Sequence, residues 1–79
     1  MTIEEMRDLV EGVVQFEREE SDDVLGWNIG ATTDAITEHL LKTGVYDRAK
    51  DLEQWRFDET IHLSALDYFS SFEPVFVTT

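Results

Sequence analysis

Cysteine is absent from this chain of 79 residues, and proline occurs once, at Pro74. Without cysteine the chain can form neither a disulfide bond nor a thiolate metal site. The stability of so small a domain must come from the packing of a thin core or from a second copy of the chain. The lack of cysteine is typical of a cytoplasmic protein, and we expect this compartment. The sequence leaves open whether the chain forms a homodimer.

Positive charge is scarce, because six Lys and Arg residues face 18 Asp and Glu residues, for a formal net charge of -12. The bases are scattered among acids, whereas direct binding to nucleic acid requires clustered Lys and Arg. No apolar run approaches the roughly 20 residues that span a membrane, and "MTIEEMRDLVEG" lacks the basic region of a signal peptide. We therefore expect no direct nucleic-acid binding and no membrane association, but attraction to basic protein surfaces.

Motifs for catalysis and for cofactor binding are lacking as well. The serines show no nucleophile elbow, and no glycine-rich loop is present to hold a phosphate. The stretch "ESDDVLGW" lacks the alternating ligands and the final glutamate of a calcium-binding loop. The two histidines, His39 and His62, are not spaced as a zinc-binding pair on a helix. We expect that the protein is not an enzyme and binds neither a metal nor a cofactor.

What the chain does have is enough apolar residues to fold. Its hydrophobic content is 42%, with nine aromatic residues, which is unlike a disordered acidic tail. We expect one acidic helical domain over residues 1–79. Thr2 and Glu5 form a capping box that predicts a first helix, running to about Glu20. Its apolar stripe is predicted to contain Met6, Leu9, Val10, Val13 and Phe16.

Three further helices are predicted from periodicity and capping signals. A loop over residues 21–30 precedes a helix at 32–44, capped by Thr32 or Thr33. The next helices are expected at 45–57 and at 58–72, the latter capped by Asp58, although the alternation in "TIHLSAL" leaves a strand open for the last one. Pro74 ends the helical pattern, and residues 74–79 are expected to be a free tail, an edge strand or a packed arm. The predicted fold is an all-α, compact bundle of three or four short helices.

The acidic residues form rows along the predicted helices. Carboxylates four residues apart on a helix are about 5–6 Å apart, which is similar to the spacing of successive phosphates on a nucleic-acid strand. A helix face rich in Glu and Asp can therefore imitate a track of phosphates. We predict a partner-binding surface that includes two such rows, their extension into the loop and a neighbouring aromatic anchor: Glu4, Asp8, Glu11, Glu17, Glu19, Glu20, Asp22, Asp23, Trp27, Asp47 and Asp51.

The segment "TDAITEHLLKTGVYDRAKDLEQW", residues 33–55, contains an acidic helix with "DAI", a short break with Val and Tyr, and a second acidic helix. In this it resembles part of the small acidic phage antirestriction proteins of the Ocr type, over about a quarter of the chain. The resemblance implies a helical, dimeric DNA mimic that blocks restriction enzymes. This chain lacks the long acidic C-terminal helix of those proteins and ends in the apolar "EPVFVTT". Anti-CRISPR proteins and inhibitors of uracil-DNA glycosylase are similar in size and charge, and no motif selects among them.

Three functional hypotheses follow, of which we favour the first. The protein is a phage-encoded acidic inhibitor that blocks a DNA- or RNA-binding host protein, such as a restriction enzyme or a CRISPR effector. Alternatively, it is a protein interaction module in which the acids serve solubility and "VFVTT" could add as a strand to a partner's sheet. The aromatic anchors of that module would be Trp27, Trp55, Tyr68, Phe69, Phe72 and Phe76. Under the third hypothesis the charge is only an adaptation to high salt.

Overall fold

The computed structural model describes residues 1–20 and 26–75, and it confirms the all-α fold. Four helices follow one another along the chain: α1 (Ile3–Glu20), α2 (Ile29–Lys42), α3 (Val45–Ala49) and α4 (Gln54–Ser71). The three long helices form a bundle, and α3 is a single short turn between α2 and α4. No β-strand occurs in the described part of the chain.

The directions of the helices follow from the residues that meet at each end of the bundle. The first turns of α1 and α4 share a surface depression, and the last turns of the same two helices share another. Helices α1 and α4 therefore run parallel to each other, and α2 runs antiparallel to both. The inner faces of these three helices, together with α3, enclose the core. Its fully or nearly fully buried apolar residues are Met6, Val10, Val13, Val14, Ile36, Leu40, Ala49, Phe57, Ile61 and Ala65.

The predicted start of α1 is confirmed by its hydrogen bonds. The backbone N–H of Glu5 donates to Thr2 Oγ1 at 3.1 Å, and the backbone N–H of Thr2 donates to Glu5 Oε1 at 3.3 Å. These reciprocal bonds satisfy two donors that the first turn of a helix leaves unpaired. The helix is described as far as Glu20, and residues 21–25 lie outside the described part of the chain.

The predicted apolar stripe of α1 is wrong at Phe16, and two apolar residues of the later predicted helices are exposed as well. Phe16 is 57% exposed, because it comes six residues after the buried Val10 and is turned about 120° away from it at 100° per residue. Leu41 is exposed because it directly follows the buried Leu40 and is turned about 100° away. Phe72 is exposed because α4 ends one residue before it.

The predicted start of α2 is also wrong. Asn28, which we assigned to a loop, caps this helix: its Oδ1 accepts a hydrogen bond from the backbone N–H of Ala31 at 2.9 Å. Asn is as favourable a cap as Thr, so the local signal did not distinguish between them. Thr32 and Thr33 instead lie inside the helix and are buried. The predicted stop at Gly44 holds, since this residue follows α2 with a φ of 79°, a conformation that glycine adopts without strain.

The boundary between the last two helices differs most from the prediction. Helix α3 ends at Ala49 instead of residue 57, and α4 begins at Gln54, so Asp58 is not its cap. No glycine or proline marks this break in the sequence. The turn at 50–53 is set by tertiary packing, because it lets Phe57 enter the core while Trp55 stays 62% exposed. The stretch "TIHLSAL" is helical throughout, which removes the strand alternative.

The chain beyond α4 forms a packed arm as far as it is described. The backbone of Val75 returns to the start of α2, where its carbonyl accepts the N–H of Asn28 at 2.8 Å. Its own N–H donates to Thr32 Oγ1 at 2.9 Å, and that hydroxyl donates to the Val75 carbonyl at 3.3 Å. Residues 76–79 lie outside the described residues, so the predicted tail is tested only to Val75.

Candidate partner-binding surface

In the described part of the chain, three of the six basic side chains are paired with acids, and the net charge of the chain is -12. Arg7 bridges two helices, with Nη2 at 2.9 Å from Asp34 Oδ1 on α2 and Nη1 at 3.6 Å from Glu11 Oε2 on α1. Lys42 and Lys50 form shorter-range pairs within their own segments, with Glu38 at 2.8 Å and with Asp47 at 3.7 Å. Because these three cations are paired with carboxylates, they do not create a positive patch.

Lys42 also changes the titration of its partner. The hydrogen bond from Lys42 and its positive charge lower the pKa of Glu38 from its ordinary value, while a small loss of hydration acts in the opposite direction. Glu38 therefore stays ionised to a lower pH than an isolated glutamate.

The predicted row on α1 lies on the outer side of the helix, but its members are not equivalent. Glu4 and Asp8 are exposed, whereas Glu11 is half-buried and accepts a hydrogen bond from Gln15 Nε2 at 3.3 Å in addition to the Arg7 contact. Glu19 follows Asp8 by eleven residues, which corresponds to nearly three whole turns, so it lies on the same side. Within the described residues, the carboxylates of this row that have no polar partner are Glu4, Asp8 and Glu19.

The predicted cluster at residues 17–23 is divided between two faces. Glu17 and Glu20 point away from Glu19, because neighbours on a helix do not share a face. Both line an open depression of about 230 Å³ together with Trp27, Phe69 and Pro74. We call this depression the Trp27 pocket. Asp22 and Asp23 lie outside the described residues.

Trp27 is not a protruding anchor. Its indole is half-buried and stacks on Phe69, with ring centroids 5.5 Å apart and an angle of 23° between the planes. Both rings also pack against the hydrophobic core. Trp27 therefore offers a wall to a partner and cannot insert into one.

The second predicted row, Asp47 and Asp51, is exposed on α3 and the turn that follows it. This segment is held against the start of α1, because the hydroxyl of Tyr46 donates to the carbonyl of Met1 at 2.7 Å. The two rows that are distant in sequence are thus brought to the same end of the bundle.

Two further acids at this end were missed as site residues by the sequence prediction. Glu5 and Asp58 line an open depression of about 320 Å³ with Asp8, Leu9 and Gln54. Asp58 was missed because it was taken for a helix cap, whereas the true start of α4 places it one turn further in, against α1. Its Oδ1 accepts a hydrogen bond from Gln54 Nε2 at 2.7 Å, which orients the carboxylate.

The other aromatic candidates differ in exposure. Tyr68 and Phe69 pack against the core, and Phe76 lies outside the described residues. Trp55 is the most exposed large apolar side chain in the described part, and its Nε1–H donates to Glu53 Oε2 at 2.8 Å. Phe16 and Leu63, which are also more than half exposed, were not among the predicted anchors.

The two histidines lie in different surroundings, and His39 lines an open depression of about 430 Å³ together with Ser64 and Asp67. His39 packs edge-on against Tyr68 and Phe72, with ring centroids 5.4 and 5.3 Å away, and His62 is exposed. Across residues 1–20 and 26–75, no three His, Asp or Glu side chains are grouped so that they could hold a metal ion. None of the helices described combines the length and the apolar character that crossing a bilayer requires.

Comparison of the chain with models of known protein families, with curated proteins and with solved structures found no match.

Proposed function

We propose that this protein is a small acidic inhibitor that occupies the nucleic-acid-binding surface of a basic protein and competes there with DNA or RNA. The observation that carries the proposal is a net charge of -12 displayed on a helical bundle in which three of the six bases, Arg7, Lys42 and Lys50, are paired with acids. A basic groove that binds phosphates would be attracted to this surface for the same electrostatic reason.

The distribution of the carboxylates supports a mimic of an extended backbone. Glu4 and Glu19, which lie on the same side of α1, are fifteen residues apart, which is about 22 Å along the axis at 1.5 Å per residue. At about 3.4 Å of rise per phosphate, that length corresponds to roughly seven nucleotides of one strand. One end of the bundle adds Asp47, Asp51 and Asp58, and the other end adds Glu17 and Glu20.

The proposed target belongs to a definite class of protein. It is a cytoplasmic host protein whose work requires DNA or RNA, such as a restriction enzyme or a CRISPR effector, and the inhibitor would be phage-encoded. This part of the proposal rests on the resemblance of residues 33–55 to antirestriction proteins of the Ocr type. A homodimer would double the length of the acidic surface.

Capture from a bacterial lysate tests the proposal. The bait is the tagged protein, and the control bait is a variant with Glu4→Gln, Asp8→Asn and Glu19→Gln. Captured proteins are eluted by a salt gradient, once with and once without nuclease-resistant DNA as a competitor. We expect a DNA- or RNA-binding protein that is displaced by DNA, elutes with salt and binds the control bait more weakly. A partner that stays bound in excess DNA and high salt would contradict the proposal.

The alternative of an aromatic interaction module is favoured by one observation, the 62% exposure of Trp55. Aromatic side chains dominate binding energy at many protein interfaces. Replacing Trp55 with alanine in the same capture experiment distinguishes the two, because a module anchored by this ring would lose its partner and a phosphate mimic would keep it. Strand addition through Val75 is disfavoured, since both its backbone N–H and its carbonyl are already bonded to α2 or to Asn28.

A further inference from the structure

We propose that the Trp27 pocket binds the guanidinium group of one arginine side chain on the basic partner. The pocket combines two stacked aromatic rings, Trp27 and Phe69, with two carboxylates, Glu17 and Glu20. A cation attracted by the carboxylates can also lie over the electron-rich face of an indole ring, which is the most favourable aromatic partner for a cation. The inference deepens the proposed function, on which it rests for the source of the arginine.

The walls of the pocket are fixed by the fold before any ligand arrives. Trp27 directly precedes Asn28, which caps α2, and Pro74 directly precedes Val75. The hydrogen bond from the Asn28 N–H to the Val75 carbonyl, at 2.8 Å, ties these two walls together. The stack on Phe69 holds the indole in place from the side of α4. A preformed site loses less conformational entropy on binding than one that must be ordered first.

The size of the pocket favours a side chain over a free metabolite. Its volume of about 230 Å³ is open to solvent. Sites for small molecules are typically enclosed clefts of roughly 300–1,000 Å³. A shallow depression suits the end of a long side chain that approaches from a facing protein surface.

The chemistry of the lining selects arginine among the side chains and excludes nucleotides. The guanidinium group is planar, stacks on aromatic rings and carries five N–H donors, which suits two carboxylates beside a flat wall. A lysine ammonium is a compact, strongly hydrated charge and gains less from a flat ring. The same carboxylates repel phosphates, so a base stacked on Trp27 would bring an unfavourable charge with it.

The test is a titration of the protein with N-acetyl-arginine amide, followed by the indole N–H signals in ¹H–¹⁵N NMR spectra. Trp55 is an internal control, because its indole N–H also contacts a carboxylate but Trp55 does not line the Trp27 pocket. We expect the Trp27 signal to shift and saturate, with little change at Trp55. N-acetyl-citrulline amide, the neutral analogue, should leave both signals in place, and N-acetyl-lysine amide should bind more weakly than arginine.

Matched variants locate the binding. Glu17→Gln and Glu20→Gln should each weaken the binding of arginine amide by about threefold, within the range for exposed ion pairs. Glu19→Gln removes the same charge from the same turn of α1 but on another face, and it should leave the affinity unchanged. Circular dichroism confirms that the three variants are equally folded. Equal shifts at Trp27 and Trp55, equal responses to citrulline, lysine and arginine, or equal affinities of the three variants would overturn the inference.

The outcomes of the two proposals can be separated. If a partner is captured and is displaced by DNA, but Trp27 does not respond selectively to arginine amide, the pocket is wrong and the proposed function stands. If Trp27 responds selectively to arginine amide, but no captured partner is displaced by DNA, the pocket stands and the proposed function is wrong.

Discussion

Replacing Phe57 with alanine tests where α4 begins, which is the largest difference between the predicted and the observed helices. In the structure Phe57 is fully buried among the core residues, whereas Trp55, two positions earlier, is 62% exposed. Truncation of a buried phenylalanine to alanine typically costs about 3–5 kcal/mol, because apolar contacts are lost and a cavity remains. A substitution at an exposed position usually changes stability by no more than about 0.5 kcal/mol.

These magnitudes are large relative to the stability of so small a domain. At roughly 0.05–0.15 kcal/mol per residue, the whole chain is expected to be stable by about 4–12 kcal/mol. For a domain of this size, 1 kcal/mol corresponds to about 4–8 °C in the melting temperature. Phe57→Ala should therefore lower the Tm by at least about 12 °C or unfold the protein, and Trp55→Ala should shift it by less than about 4 °C.

The assay is thermal unfolding followed by circular dichroism at the helical band, with both variants measured in the same buffer. A urea titration at fixed temperature provides a second estimate for the free energy of unfolding. If Trp55→Ala were as destabilising as Phe57→Ala, or more so, then the helix boundary at residues 50–53 and the register of α4 would be refuted.

Three further predictions concern capping, ion pairing and salt. Asn28→Ala should destabilise the protein by about 1 kcal/mol, measured by urea unfolding, because the backbone N–H of Ala31 loses its acceptor. Asn28→Asp keeps an acceptor and should destabilise the protein much less. Equal losses of stability in the two variants would refute the capping role. Because Lys42 lowers the pKa of Glu38 in the folded protein, the pair stabilises the protein at pH values above the ordinary glutamate pKa, and this contribution is lost as the pH falls through the lowered pKa. In the variant Lys42→Met, the pKa of Glu38 measured by NMR titration should move back toward its ordinary value. An unchanged pKa would contradict the pairing. The chain should unfold cooperatively in dilute buffer, with a modest rise in Tm on adding salt as the repulsion among its acids is screened; a requirement for molar salt would instead favour the hypothesis that the charge is only an adaptation to high salt.

The features that local chemistry determines were predictable from the sequence. The capping box of Thr2 and Glu5 and the stop at Gly44 are signals carried by a few neighbouring residues, and both appear in the structure. The all-α class follows from apolar residues that recur at helical spacing. In each case the residues that set the feature are close together along the chain.

The features that depend on distant contacts were not predictable in the same way. Nothing between residues 50 and 53 marks the start of α4, because that start is set by the burial of Phe57 against the other helices. The pairing of Val75 with Asn28 and Thr32 joins residues more than forty positions apart.

The candidate site shows the same limit. The three acids among residues 17–20 look like one cluster in the sequence, but the helix divides them, with Glu19 on one side and Glu17 and Glu20 on another. The contribution of Phe69 to the Trp27 pocket could be found only after the fold placed the end of α4 beside the start of α2.

The measurement that tests the central claim most directly is competition for DNA on the captured partner. Fluorescence anisotropy of a labelled duplex bound to that partner is recorded while the inhibitor is added, at several salt concentrations. We predict that the inhibitor displaces the duplex, that the apparent Kd for DNA rises in proportion to inhibitor concentration, and that the inhibitor's own affinity falls steeply with salt. A ternary complex in which DNA stays bound with unchanged affinity would contradict the claim that this acidic surface takes the place of nucleic acid.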